Sequence, residues 1–124
     1  ALGSVAPVPH GLACALALPW VMAVNLPVVA ARYARVGALL TGRPDADARA
    51  AVQAVWALSH TVGIPRVRAL SAAADAFADA HLPRLAALCH GNSLRGNPRD
   101  LGEDALIDLL RAMRDADSPL ALAA

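Results

Sequence analysis

Few residues in this 124-residue chain could do chemistry: four histidines, His10, His60, His81 and His90, and two cysteines, Cys14 and Cys89. An imidazole or a thiolate can hold a transition metal, but a metal site normally takes three or more protein ligands. The histidines occur at no spacing that sets two of them on one helix face, and the acids cluster on faces that read as solvated. A complete metal site is therefore not expected from this chain alone. Cys14 and Cys89 stand far apart in apolar surroundings. That is neither a disulfide framework nor a CxxC pair, and it reads as two buried free thiols of a reduced, cytoplasmic protein. Cys89 and His90 are neighbours in sequence, so on a helix they point in different directions and do not form a thiolate–imidazolium pair. No G-x-S-x-G, H-E-x-x-H or Walker pattern occurs. His10 sits between Pro9 and Gly11, which holds it out of regular structure at the mouth of a helix. Read from the residues alone, it is a helix-start histidine satisfied by backbone groups.

The elements that must position these residues are helical. Hydrophobic residues make up 57% of the chain and aromatics only 3%, so the core must be built from Ala, Leu and Val. Such an Ala- and Leu-rich composition, with few Ile, Thr, Tyr or Phe, favours helices over strands. The length suits one domain, residues 1–124. A net charge of +1 gives no reason to expect a nucleic-acid partner. The uncharged run over residues 1–31 is long enough to raise a membrane question. Pro19, Asn25 and Pro27 inside it, and the lack of a basic segment before it, argue for a buried helix and a turn instead.

In chain order, residues 1–7 read as an extended or looped lead-in. A first helix spans residues 11–24, apolar nearly all round and therefore central and buried, bent near Pro19 and broken by Asn25-Leu26-Pro27. A second covers residues 28–40, with Val29, Tyr33, Val36 and Leu40 as its apolar stripe and Gly42 as cap. A third follows Asp45 and Asp47, turns Ala48, Val52, Val55, Trp56 and Ser59 inward, and ends at Gly63. A short turn at residues 66–70, a helix over residues 72–80, another over residues 83–90 and a loop over residues 91–100 come next. The last helix, residues 102–116, presents Leu106, Leu109, Leu110 and Met113 to the core, with Asp108–Arg111 and Arg111–Asp115 in pairing register outside. The tail beyond Asp117 is expected to fray. The expected fold is all-α, five to seven helices around a central N-terminal one.

Four motifs in order carry a resemblance. They are Leu2-Gly3 followed by Val8-Pro9-His10-Gly11, Leu18-Pro19 with Asn25, Val62-Gly63-Ile64-Pro65, and Gly96-Asn97-Pro98-Arg99 before an acidic, Leu-rich helix. Together they resemble the C-terminal helical domain of the iron-containing (group III) alcohol dehydrogenases, along nearly the whole chain. The resemblance implies a two-domain enzyme in which an N-terminal α/β domain binds NAD(P) and the helical domain holds a divalent metal, Fe2+ or Zn2+, through an aspartate and three histidines. It places His10 at the last ligand position, with the other ligands and the nucleotide-binding domain absent from this sequence. By position it sets Cys14, Trp20, Ser93, Leu94 and Asn97 around the substrate. Cys14 stands where the family commonly has a polar residue such as asparagine, and Trp20 where a histidine is common. A less polar pocket and a bulkier, apolar substrate follow.

Three functions remain open. One is the metal and substrate portion of an NAD(P)-dependent alcohol dehydrogenase-like enzyme, working with a nucleotide-binding partner chain or domain. Another is a stand-alone helical domain that binds, cyclises or isomerises an apolar small molecule without NAD or metal. The last is a non-catalytic assembly module. A free monomer is not expected: an apolar cleft lined by the first helix and the loop before Asn97 calls for a second copy or another chain. With one imidazole, the isolated chain is expected to bind iron or zinc weakly or not at all.

Overall fold

The computed structural model describes residues 1–123, and the last residue of the tail, Ala124, lies outside them. Among the described residues there are six α-helices and no strand: α1 (Leu2–Val5), α2 (His10–Thr41), α3 (Ala48–Thr61), α4 (Leu82–Leu88), α5 (Asn92–Arg95) and α6 (Glu103–Asp115). Short 3₁₀ turns at Val67–Ala69, Ser71–Ala73, Asp79–His81 and Pro119–Ala123 join or close them. The all-α expectation and the helix count hold.

Helix α2 departs most from its expected form. It begins at His10 itself, not after it, and stays helical through Pro19 and Asn25-Leu26-Pro27, so that the 32-residue span is two helical segments joined across a kink. Its one non-helical residue is Val29 (φ −129°, ψ 22°). Pro27 has no N–H for the carbonyl of Ala23, and its ring pushes that carbonyl away, so the helix kinks without ending. The kink shapes the packing. Trp20 meets Trp56 with ring centroids 5.5 Å apart, and a Cβ added at Gly37 would stand 3.1 Å from the backbone nitrogen of Ala51. A straight helix would separate Trp20 from Gly37 by about 25 Å, yet their partners are only about 8 Å apart along α3. The bend at Val29 therefore folds α2 around α3. Gly37 is needed at that contact because the same Cβ would also lie 3.0 Å from the carbonyl of Asp47.

The predicted stripe on the second half of α2 is mostly not buried. Val29 and Tyr33 are half-buried, while Val36 and Leu40 are exposed; Gly37 faces α3 instead. Close approach through a glycine needs no large side chains at the contact. The buried set of α2 is Leu16, Pro19, Trp20, the run Met22, Ala23, Val24 and Asn25, and Gly37. By length and composition α2 could cross a membrane, and it is the one described helix that could. Its N-terminal half is the spine of the core.

Helix α3 starts where expected, with the Asp47 carboxylate accepting from the Ala50 N–H at 3.0 Å. It stops at Gly63 (φ 80°), where the N–H of Ile64 turns back onto the Ser59 carbonyl. Its most buried residues are Ala48, Ala50, Ala51 and Val52, whereas Val55, Trp56 and Ser59 are half-buried. Small alanines face α2 because the glycine contact brings the backbones close. Helix α6 buries Leu106, Leu109, Leu110 and Met113 as its period requires. The Asp108–Arg111 pair forms at 3.0 Å, but Asp115 pairs with Arg114 and not Arg111.

Four expectations fail, the first two for tertiary reasons. Residues 72–80 are not a helix: Phe77 is buried, its carbonyl accepts from Arg114 Nη1 at 2.8 Å, and the Asp75 carbonyl lies 2.8 Å from His81 Nδ1. Side chains claim carbonyls that a helix would use, and alanine propensity loses. The tail does not fray through Ala123. Pro119 is buried, and Leu120 and Leu122 pack on Met22, Ala23, Ala51 and Val52. Arg66 Nη2 donates to the Ala116 carbonyl at 2.6 Å just before it. The lead-in forms the single turn α1, and the loop over residues 91–100 contains α5.

Candidate functional site

Helix α2 carries two polar pairs. The first lies on its opening turn. His10 is the first residue of α2, and Cys14 follows one turn later, so the side chains stack one above the other. Cys14 Sγ lies 3.5 Å from His10 Nε2, and both residues are exposed. The expectation that Cys14 is a buried thiol is thus corrected: the apolar residues around it turn inward while its own face of the helix turns out. Cys89 is half-buried, donates to the Leu85 carbonyl at 3.4 Å, and has its pKa raised by that burial.

The second pair is internal. Asn25, 4% exposed, is the only buried polar side chain among the described residues. Its Nδ2 donates to Asn97 Oδ1 at 2.7 Å, and Asn97 Nδ2 donates back to Asn25 Oδ1 at 2.8 Å. Asn97 Nδ2 also donates to the Arg99 carbonyl at 2.6 Å, and Arg99 Nη1 donates to the Val24 carbonyl at 2.9 Å. The Asn-Pro-Arg segment therefore latches onto α2 just before its kink. Sequence reasoning noted both asparagines but not their pairing. The available signal was an amide inside an apolar helix, which burial obliges to find a partner.

The remaining candidates are scattered. Trp20 is 2% exposed, edge-on to Trp56 in the core. Both indoles border a cleft shared with His60, Arg66 and Met113, whose free volume of about 10 Å³ holds no more than a water. Leu94 borders an open hollow of about 380 Å³ with His90, Gly91 and Arg95. Ser93 is exposed on α5. Neither hollow brings two of Cys14, Trp20, Ser93, Leu94 and Asn97 together.

Two tests of fit follow. A dinucleotide normally binds at the carboxyl ends of strands, against a glycine-rich turn. No strand exists among the described residues, so nothing here fits NAD(P). A divalent transition metal fits in part: an exposed imidazole with a thiol beside it supplies donors of the right type, though no group of three or more His, Cys, Asp or Glu side chains exists among the described residues.

Comparison with known proteins agrees with the motifs. Residues 1–114 match the C-terminal part of the Fe-containing alcohol dehydrogenase family. The chain is 35% identical over 114 residues to the probable alcohol dehydrogenase EutG of Escherichia coli strain K12, an alignment covering 89% of this chain and 27% of that protein. The chain thus spans about a quarter of the length of that relative. No solved structure matches. With a family match over residues 1–114 and the all-α fold beneath it, the chain belongs to the Fe-containing alcohol dehydrogenase family, as its C-terminal part.

Proposed function

We propose that this chain is the metal-side helical portion of an NAD(P)-dependent alcohol dehydrogenase-like oxidoreductase of the cytoplasm, active together with a nucleotide-binding domain. The observation that carries the reading is His10, an exposed imidazole at the first position of α2, which the motif resemblance sets at the family's last ligand position. A bound divalent metal would polarise an alcohol or carbonyl oxygen as a Lewis acid. What this chain does is narrower. Pro9 fixes the entry to α2, the first turn presents His10 outward, and the Asn25–Asn97–Arg99 latch holds the Asn-Pro-Arg segment against the helix so that α5 and the loop beside it form one wall of the substrate site. Leu94 makes that wall apolar, and an apolar alcohol or aldehyde is the expected substrate class.

The partner in this reading is the nucleotide-binding domain, a second copy, or both. Exposed apolar side chains support it: Leu39 is 85% exposed, and Leu40, Leu58 and Val62 are more than half exposed. Light scattering over a wide concentration range should show association, and a clean monomer that binds no apolar dye would count against it.

The deciding experiment assays the 124-residue chain for nicotinamide binding and alcohol oxidation, alone and co-expressed with a nucleotide-binding domain of the family. Activity should appear only in the combination, and His10→Ala should remove metal and hydride transfer together. Conversion of a substrate by the chain alone, without nucleotide or metal, overturns the reading in favour of a cofactor-free enzyme.

A further inference from the structure

Beyond its kink, α2 turns a face to solvent that nothing in its own chain covers. Gly37 meets α3, and at about 100° per residue Arg32, Arg35 and Leu39 fall on the side away from it. Val28 heads the same row at the kink. All four are exposed, Val28 at 54% and Leu39 at 85%. Neither arginine belongs to an ion pair among the described residues, and no acid occurs between His10 and Pro44. The face is apolar and purely cationic.

We infer that it is an interface with a second copy of this chain, and that its counterpart is the acidic start of α6 on that copy. The inference deepens the partner named under the proposed function, and it rests on that reading only in leaving the His10 end of α2 to the nucleotide-binding domain. Leu39 lies about 40 Å along the helix from His10, less the bend, so the two partners do not compete for one surface.

Three observations choose this occupant. The first is charge. Asp100, Glu103 and Asp104 are exposed, and none of them has a cationic partner among the described residues. The second is placement. Arg99 Nη1 donates to the Val24 carbonyl at 2.9 Å, which fixes the start of α6 against α2 one turn before Val28. Residues four apart share a helix face, so the acidic and cationic surfaces are neighbours on one side of the molecule. The third is symmetry. Two copies of α2 laid antiparallel, with a twofold axis at Val28, carry Arg32 and Arg35 of each past the axis by about 6 and 10 Å. There they oppose the Val24 end of the other copy, where its acids begin. Each copy supplies both halves of the contact, as a closed twofold interface requires. Val28 and Leu39 are covered in the same act. An anionic membrane would suit the arginines and repel the acids beside them.

Sedimentation of the whole chain over a wide range of concentrations should show a dimer that dissociates as salt rises. Arg32→Glu with Arg35→Glu should weaken association by more than about a hundredfold, and so should Glu103→Lys with Asp104→Lys. Mixing the two double variants should restore the dimer, because every contact across the axis is again between opposite charges. Arg84→Glu, exposed and outside both faces, should leave association as it was. Where lysines at the start of α6 unfold the chain, Glu103→Gln with Asp104→Asn replaces them, and it should weaken association and blunt its salt dependence. A wild-type monomer at low salt overturns the inference. So do a dimer that survives both reversals, folded variants that stay apart when mixed, and a monomer recruited to phosphatidylserine vesicles. The reading of His10 is judged separately, by hydride transfer in the assembled enzyme, and it stands or falls whatever the dimer does.

Discussion

The Asn25–Asn97 pair and the His10–Cys14 pair both involve α2, and their surroundings differ. The asparagines join residues 72 positions apart, lie inside, and use their hydrogen-bonding capacity on each other and on the Arg99 backbone. The histidine and cysteine are four positions apart, lie outside, and have only each other. A buried amide must be satisfied, and Asn25 finds its partner far along the chain. The imidazole and the thiol are exposed to solvent. The first pair ties distant parts of the chain together, and the second links neighbouring turns of one helix.

The largest expected effect comes from breaking the internal pair. Asn25→Ala should leave the Asn97 amide without its partner and cost about 1–3 kcal/mol of stability. Asn97→Ala should cost a similar amount. The double variant should cost clearly less than the sum, because removing the second partner of a broken pair removes an unsatisfied group. Urea unfolding of the single and double variants measures the coupling. Additive losses would show that the amides act independently and that the latch is only apparent.

Arg99→Ala comes next, at about 1 kcal/mol for the bond from its guanidinium to the Val24 carbonyl. Its value lies in locating the strain. If the latch supports the bent helix, hydrogen exchange should quicken at residues around Val29 and not at the first turn of α2. Equal acceleration at both ends would mean that Arg99 stabilises the domain without acting on the kink.

The contrast between the pairs also explains what the sequence could reveal. Helix α6 was legible because Leu106, Leu109, Leu110 and Met113 repeat at helical spacing and nothing competes with them. The ends of α3 were legible because Asp47 and Gly63 act within a few residues of themselves. The 72–80 segment was not, because the group that unwinds it is Arg114, far along the chain, holding the Phe77 carbonyl and Asp79 together. The tail was misread for the same reason: its partners Met22, Ala23, Ala51 and Val52 belong to α2 and α3. Long-range contacts override propensity, and one sequence does not display them. The His10–Cys14 register, by contrast, needed only counting. It was hidden by treating Cys14 as a buried residue when its helix face is open. The family motifs located His10 and Asn97, but the motifs say nothing about which asparagine meets which.

Substitutions at the exposed pair should barely touch stability. His10→Ala and Cys14→Ser are both expected within about 0.5 kcal/mol of wild type. Thermal unfolding of the two variants beside the wild type checks this, and a large loss of stability would place the pair in the architecture after all.

The smallest effect concerns the second thiol and tests the exposed–buried contrast by pH. Burial holds the Cys89 thiol above its usual pKa. The unfolded chain therefore releases that proton first as pH rises. The contribution of Cys89 is fully present below the ordinary thiol range and is lost progressively above about pH 8.5 as the unfolded state ionises. Tyr33, also raised chiefly by burial, acts in the same direction further into alkali. Stability measured by urea midpoint should thus decline on the alkaline side, and Cys89→Ser should flatten the first part of that decline. Alkylation near neutral pH should follow the same order, Cys14 before Cys89, since the latter is half-buried and donates to the Leu85 carbonyl. If Cys89 reacts first, the assignment of one thiol to the interior and the other to solvent is wrong.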